Sequence, residues 1–565
     1  MSHSFSAAPS ATLSRVGRAV LVTLAAAAAL PALAQPVAPP DAGQVLRELR
    51  PPIDVPPRGS ATLTVPADTD TSADIGQRFL VRQIRVDGVR ELNAAEVHAL
   101  VAPLEGTQAS LGALRQGAQR ITQFYRQHGY IVARAFVPAQ QVADGVVTIT
   151  VLESELTAFS FDNRSQVRTD VLAGFVEAQG LVGKPIVADA MDRTLLLLSD
   201  LPGVGNVSGN LKPGARVGTS DLVVEAEPGK RVDGDLSLDN HGNRYTGQNR
   251  ANARVTFNSL TGIGDRLDLR GTASDQDLLS GRIAYDLPLG RNGLRGGVAL
   301  STTRYELGRE FANLDASGTA NTASAYASWP LLRGLNQNVW LAGSVEARNL
   351  RDRVGLTSSQ TDKKARVGTL EAYGDLADAL GGGGYSTWRV AATAGRLDID
   401  TPAAAAFDAA GPRAAGGYSK LQLGASRLQA LPAGFTFAVQ ASGQMARKNL
   451  DSSEKFVVGG AYGVRAYPQG EGVGDDGWLL NLELRHDVVP GVQAMVFYDA
   501  GGARFSHDPY AAGRNHQTLR GYGVGLQGQW KDFYARTSIA WREGDAPLTA
   551  PDRRPRLWLA GGWRF

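Results

Sequence analysis

The side chains best equipped for chemistry occur here in patterns that stop short of it. The 565-residue chain has no cysteine, which removes disulfides, thiolate nucleophiles and Cys-based zinc sites together. Its seven histidines have no metal-ligating spacing. His486 precedes Asp487 and His507 precedes Asp508, but neighbours on a strand point to opposite faces, so His486 and Asp487 cannot act together. Asp68, Asp70 and Ser72 begin like a calcium loop, yet Ala73 stands where the turn glycine belongs and Phe79 where the bidentate glutamate belongs. Two stretches, 472–477 and 523–528, satisfy G-x-G-x-x-G. The first is acidic and leads into a strand, and the second lies inside one, so neither offers a helix N-terminus to a pyrophosphate. No Walker A sequence or Gly-x-Ser-x-Gly elbow occurs. The expectation is a protein that is not an enzyme and holds no metal or cofactor.

Alternation carries more information than any of these groups. In the last ten residues Leu557, Leu559, Trp563 and Phe565 share one parity and Arg564 takes the other, the pattern of a strand with lipid on one face and water on the other. The pattern recurs upstream. In 339–348, Val339, Leu341, Val345 and Ala347 face lipid while Glu346 and Arg348 face inward. In 478–487 the lipid side is Trp478, Leu480, Leu482 and Leu484, against Asn481, Glu483, Arg485 and Asp487. In 533–542, Phe533, Ile539 and Trp541 oppose Tyr534, Arg536 and Arg542. From residue 230 onward 336 residues (565 − 229) contain no long amphipathic helix. At roughly 20 residues per strand and connection, that length makes about sixteen strands, an even number as single-chain outer-membrane barrels require. The 66 glycines and 27 prolines suit a turn-rich β protein. With 58 basic and 55 acidic side chains and no basic block, nucleic acid is not an expected partner.

The N-terminus supplies an address. Arg15 and Arg18 precede an apolar run that ends in Ala32-Leu33-Ala34, which reads as a secretory signal peptide over 1–34. The run is shorter than the roughly 20 residues that span a bilayer. Residues 35–78 read as a short helix near 42–50, with Val45, Leu46 and Leu49 at helical spacing, followed by a flexible linker rich in Pro, Thr, Asp and Ser. Residues 79–153 then read as β-α-α-β-β. The helix over 111–128 places Leu111, Leu114, Ala118, Ile121 and Tyr125 on one face, Gly129 sits as its αL cap, and a strand is expected at 131–138. Residues 154–228 repeat the order. Two tandem modules of this kind in a secreted chain resemble POTRA domains, the periplasmic polypeptide-binding modules of outer-membrane transporters.

Between the strands near 440 and 480 lies Val464-Arg465-Ala466-Tyr467, which resembles the Val-Arg-Gly-Tyr signature on the inward-folded sixth loop of two-partner secretion transporters, the TpsB branch of the superfamily that includes BamA. Ala466 replaces the usual glycine. A loop tip entering a wide lumen needs an anchor, and a guanidinium can hold a carboxylate bidentately. The segment from Phe497 through Asp499 to Gly501 resembles the family's barrel-wall motif, whose aspartate meets that arginine. The resemblance therefore implies an Arg465–Asp499 pair. The stretch 258–267, with Ser259 in the position of a proline, resembles an early turn of the same transporters, and residues 229–565 become the outer-membrane β-barrel.

The resemblance also implies a function. The modules would capture an unfolded TpsA-type exoprotein, an adhesin, haemolysin or similar, by adding its extended chain to a sheet edge at 111–138. The barrel would pass it to the cell surface, with the helix near 42–50 as a plug of the resting lumen. Trp563 and Phe565 would belong to a C-terminal signal read by the barrel assembly machinery, after delivery by periplasmic chaperones, on insertion into outer-membrane lipid. The alternatives are a BamA- or TamA-like insertase, for which two modules are too few, and a passive porin-like channel.

Overall fold

The computed structural model describes residues 39–49, 61–65 and 77–565. The signal-peptide reading of 1–34 and the Asp68–Asp70–Ser72 cluster lie outside the described residues.

The first module pairs Gln83–Asp87 in parallel with Val146–Leu152, which takes Arg134–Phe136 antiparallel on its other side. The helix Leu111–Gln127 packs Leu114, Ala118, Ile121 and Tyr125 into a core with Ile84, Val147 and Ile149. Ser110 caps it by accepting from the Ala113 amide at 3.1 Å, and Gly129 leaves it at φ +87°. The Tyr125 hydroxyl donates to Glu153, and burial with that neighbouring carboxylate pushes its pKa up. The expected strand at 131–138 is only Arg134–Phe136. It is the sheet edge, but its Ala135 amide already donates to Thr122 Oγ1 of the helix at 2.9 Å. The opening strand is also broken, into Phe79–Val81 and Gln83–Asp87, and the first piece pairs with Thr107–Ala109.

The second module contains Glu155–Asn163, helices Thr169–Ala178 and Ala188–Ser199, and the hairpin Val204–Pro213 and Thr219–Pro228. Leu172, Phe175, Leu195 and Leu198 pack on Val207, Leu222 and Val224. The linker expectation fails here for four residues. Ala61–Thr64 forms a strand that pairs in parallel with Val207–Asn210, so the chain itself occupies that edge of the sheet. Its alternation explains the pairing, because Leu63 packs against the module core.

Sixteen antiparallel strands, from Val232–Asp239 to Arg556–Arg564, close into one barrel. The last strand pairs with the first from Asp235–Arg564 to Asp239–Ala560, and backbone bonds between Gly234 and Phe565 extend the seam. Tyr522 and Trp530 share the outward face of strand His516–Trp530, eight residues apart. That is about 20 Å of height for a strand tilted by about 40°, close to the apolar thickness of an outer-membrane barrel.

The second module sits against the turns at one end of the barrel. The Arg168 amide donates to the Gly262 carbonyl at 2.9 Å, and Ser259 Oγ donates to the Gln166 carbonyl at 3.3 Å. Ser259 has φ +52°, which a proline ring locked near −65° cannot reach, so this departure from the family turn has a backbone cause. Arg333, buried in the wall, donates twice to Asp200 at 2.7 and 2.8 Å. Asp200→Ala should leave that guanidinium unpaired and loosen the junction by on the order of 2 kcal/mol, between surface and fully buried pairs. Faster amide exchange of 195–203 in the purified protein is the expected readout, and unchanged exchange there would refute a holding role for the pair.

Candidate functional site

A sixteen-stranded barrel is too wide for its own side chains to fill. Here two segments fold into it. Residues 447–475, which connect strands Phe435–Ala446 and Asp476–Val489, enter the lumen as a loop stiffened by the short ladder Phe456–Val457 with Val473–Gly474. The helix Ala42–Glu48 enters beside it.

At the loop tip Arg465 meets the wall. Its Nε donates to Asp499 Oδ2 at 2.9 Å, one terminal nitrogen to Asp499 Oδ1 at 2.7 Å, and its own amide to Asp499 Oδ2 at 3.1 Å. The other terminal nitrogen donates to Glu483 at 2.6 Å. Phe497 lies under the guanidinium, 3.4 Å from the central carbon to the ring centroid. Asn481 donates to Asp499 Oδ1 at 2.8 Å and to the Gly463 carbonyl at 2.9 Å, and the Trp558 indole donates to the Arg465 carbonyl at 2.7 Å. Asp499 is 0 % exposed, so both ions are removed from water and every strong polar atom must be satisfied internally. Glu483 also accepts from Arg485 and Arg536, which makes the cluster net positive by one among Arg465, Arg485, Arg536, Asp499 and Glu483.

The rest of the tip packs by shape. Val464 and Tyr467 are fully buried, and the Tyr467 hydroxyl donates to the Asp545 carbonyl at 3.0 Å. Ala466, in the place of the family glycine, is free of positive φ. Its methyl fills the space over Gly521, where an added Cβ would come within 2.3 Å of it. Gly501 is required by Val458, whose methyl stands 2.4 Å from where a Cβ would be. Gly523, from the second glycine pattern, makes the same allowance for Phe497. Those glycines give room to the lock.

The structure thus brings Val464–Tyr467 together with Phe497, Asp499 and Gly501. Trp563 and Phe565 lie elsewhere, at the module end of the barrel seam, with Trp563 stacked on Phe533. Nothing in the sequence singles out Glu483, Asn481 or Trp558 from the other inward side chains. Parity already placed Asn481 and Glu483 inward. The missing information was the register, which sets Asn481 opposite Asp499 and Glu483 opposite Phe497.

The helix Ala42–Glu48 is held at the end of the lumen remote from the modules. Asp41 caps it, accepting from Gln44 at 2.9 Å, and also accepts from Lys363 at 3.0 Å and Ser452 at 2.7 Å. The Ala42 amide donates to Asp352 at 2.7 Å, and Asn243 donates to Glu48 at 3.2 Å. Val45 and Leu46 pack against Tyr245, Tyr305 and Leu350. Besides Ser452, which bonds Asp41 and accepts from Arg47 through its carbonyl, a second loop residue reaches toward this helix. Glu471, 0 % exposed, accepts from Gln517 at 2.7 Å, from the Leu548 and Thr549 amides at 2.9 Å and from the Thr549 hydroxyl at 2.5 Å. The Thr549 carbonyl in turn accepts from the Tyr245 hydroxyl at 2.7 Å.

The decoys are accounted for. His486 stacks on Phe435, and His507 lies 3.1 Å from Asp476 beside Arg504, an ordinary surface network. No grouping of His, Asp and Glu able to hold a metal occurs among the described residues.

The chain matches the family described as haemolysin secretion/activation protein ShlB/FhaC/HecB over residues 218–528 and the ShlB-type POTRA domain over 79–154. It is 27% identical to the heme/hemopexin transporter protein HuxB of Haemophilus influenzae, over 86% of this chain and 87% of that protein. It is 26% identical to the outer membrane transporter CdiB of Escherichia coli, over 89% of this chain and 84% of that one. The solved structure of CdiB from Escherichia coli superimposes with a TM-score of 0.70 at 22% identity, over 90% of this chain and 94% of that chain. The first of these matches spans more than half of the chain, so the protein belongs to the haemolysin secretion/activation family: it is an outer-membrane β-barrel transporter of two-partner secretion, with POTRA modules in the periplasm.

Proposed function

We propose that this transporter keeps its pore closed at rest with the helix Ala42–Glu48 and keeps its lumen organised through the Arg465 lock, while the modules receive an unfolded partner exoprotein. The observation that carries this reading is the double engagement of Arg465, on Asp499 and on Glu483, which holds a long inward loop against one side of the wall. Removing the guanidinium would leave the buried Asp499 without its cation, while Glu483 would keep Arg485 and Arg536, a loss of about 3–5 kcal/mol in comparable pairs.

Capture is by main-chain pairing. An extended client adds to a sheet edge and gains backbone hydrogen bonds with little demand on its sequence. The first module offers Arg134–Phe136, a shorter edge than sequence suggested, and the client has to replace the Ala135 bond to Thr122. The second module's edge already carries Ala61–Thr64 from this chain. The client belongs to the TpsA class, and its folding outside the cell biases passage outward. Trp563 and Phe565, at the end of the closing strand, serve the barrel assembly machinery during insertion into outer-membrane lipid, after periplasmic chaperones deliver the chain.

Arg465→Ala should abolish or cut at least about tenfold the secretion of a co-expressed partner exoprotein, measured in culture supernatant with barrel assembly checked by heat-modifiable mobility. Normal secretion from a well-assembled variant would remove Arg465 from the mechanism. Deleting 35–52 should raise single-channel conductance in planar bilayers, and an unchanged value would sink the plug.

A further inference from the structure

The outward face of the barrel carries an unusual charge arrangement at the extracellular ends of four strands. Strand Ser359–Asp378 shows lipid the residues Leu376, Ala372 and Leu370, and its next long outward side chains are Arg366 and Lys364. Strand Gly384–Ile399 shows Val390, Ala392 and Ala394, and then Arg396. The neighbouring strand Gln337–Val354 passes from Val345 and Ala347 to Asn349, Arg351 and Arg353, and Arg295–Glu306 ends its outward row on Arg304 and Glu306. All six cations sit past the apolar band, against Glu306, Asp362, Asp398 and Asp400, the last paired with Lys364 at 2.7 Å.

Within this patch the cross-strand pairing is inconsistent in an informative way. Arg351 stands opposite Asp362 and donates to it at 2.6 Å, the arrangement expected of exposed charges on a sheet. Arg366 stands directly opposite Arg396. Like charges in that position repel and weaken the ladder. Arg396 shares Asp398 with no other cation at 3.1 Å, whereas Arg366 and Arg304 have no carboxylate partner among the described residues. Both arginines of the opposed pair are exposed. Two planar forks projecting side by side from a rigid sheet fit the oxygens of one phosphate, which each can hold bidentately. Their height is that of the outer-leaflet head groups, because the last apolar outward residue lies two positions from Arg396 (Ala394) and four from Arg366 (Leu370).

We propose that Arg366 and Arg396, assisted by Lys364 and Arg353, form a docking site for phosphorylated lipid head groups of the outer leaflet, the glycolipid class whose disaccharide carries phosphate. The anion relieves the repulsion of the pair and fixes a lipid against the strands that flank the plug contacts of Asp352 and Lys363.

The test uses the full-length purified protein in detergent, with fluorescent bisphosphorylated lipid A as probe. Arg366→Glu converts the opposed arginines into an ion pair like Arg351–Asp362, so the barrel should melt at the same or a higher temperature while affinity for lipid A falls at least about tenfold. Enzymatically dephosphorylated lipid A should bind the native protein as weakly as phosphorylated lipid A binds the variant. Arg396→Ser should show the same loss. Equal affinity for lipid A in native protein and both variants would overturn the site. So would equal binding of the phosphorylated and dephosphorylated lipids, or displacement of the probe by inorganic phosphate at the probe's own concentration, which would mark an ion site without lipid recognition.

Discussion

The lumen is the constraint from which the rest of this structure follows. Sixteen strands close at a radius that side chains cannot fill, so the interior is either water or folded-in chain. The chain that folds in must bury polar backbone and charge inside a wall that is itself charged. Arg465 answers that problem with a complete set of partners: two carboxylates, an aromatic face below, and an indole on its own carbonyl. A lone guanidinium in that position would cost several kcal/mol, and so would Asp499 without it. The loop is therefore held by the penalty for separating its ions more than by any net attraction between them.

This dependence spreads along the wall. Glu483 is shared among Arg465, Arg485 and Arg536, so the lock is a network in which Glu483 keeps a cation when any one arginine is removed, whereas Asp499 depends on Arg465 alone. The glycines of strand His516–Trp530 are the steric counterpart. Gly521 and Gly523 flatten the wall where Ala466 and Phe497 press against it. Glu471 then carries the position of the loop to Thr549, and Thr549 to Tyr245, which lies against the plug helix. A shift of the loop tip would be felt at the helix through groups that all lie within hydrogen-bond distance.

Much of this was legible in the sequence where a single period governs a whole segment. Alternation announced the barrel and the inward parity of Glu483, because one face meets lipid along its entire length, and the length of the segment gave about sixteen strands. The two modules were readable in order from helical spacing and cap glycines. What sequence concealed was set between segments. Ala61–Thr64 reads as linker because four residues carry too little pattern, and only the open edge of another sheet makes them a strand. Arg134–Phe136 is shorter than its apolar run because 131–133 are taken up in the turn that leaves the helix, where the Ile131 amide donates to the Gly129 carbonyl and the Ala133 amide to that of Tyr130. Glu483 could not be told from other lumen charges until the register fixed it beside the loop, and Ser259 looked like a weakened motif until its positive φ was known.

The two occupants of the lumen are held by different physics, and that difference decides which one can move. The lock ions are almost fully desolvated, with 4 % of the Arg465 side chain and none of Asp499 exposed. The pair at the plug is wetter, with 14 % of Lys363 and 29 % of Asp41 exposed. Partly solvated pairs contribute little net energy, because water replaces them when they part. The helix adds only Ala42, Val45 and Leu46 as buried apolar groups over its seven residues, worth a few kcal/mol, roughly, at 25 cal/mol per Å². On the proposed reading, a client able to offer a comparable number of backbone hydrogen bonds and contacts would displace the helix without a nucleotide. The same client could not open the lock, whose ions would have to be solvated inside the pore. The physical expectation is a transporter whose plug leaves while Arg465 stays on the wall, so that translocation proceeds past an organised loop and not through an emptied barrel.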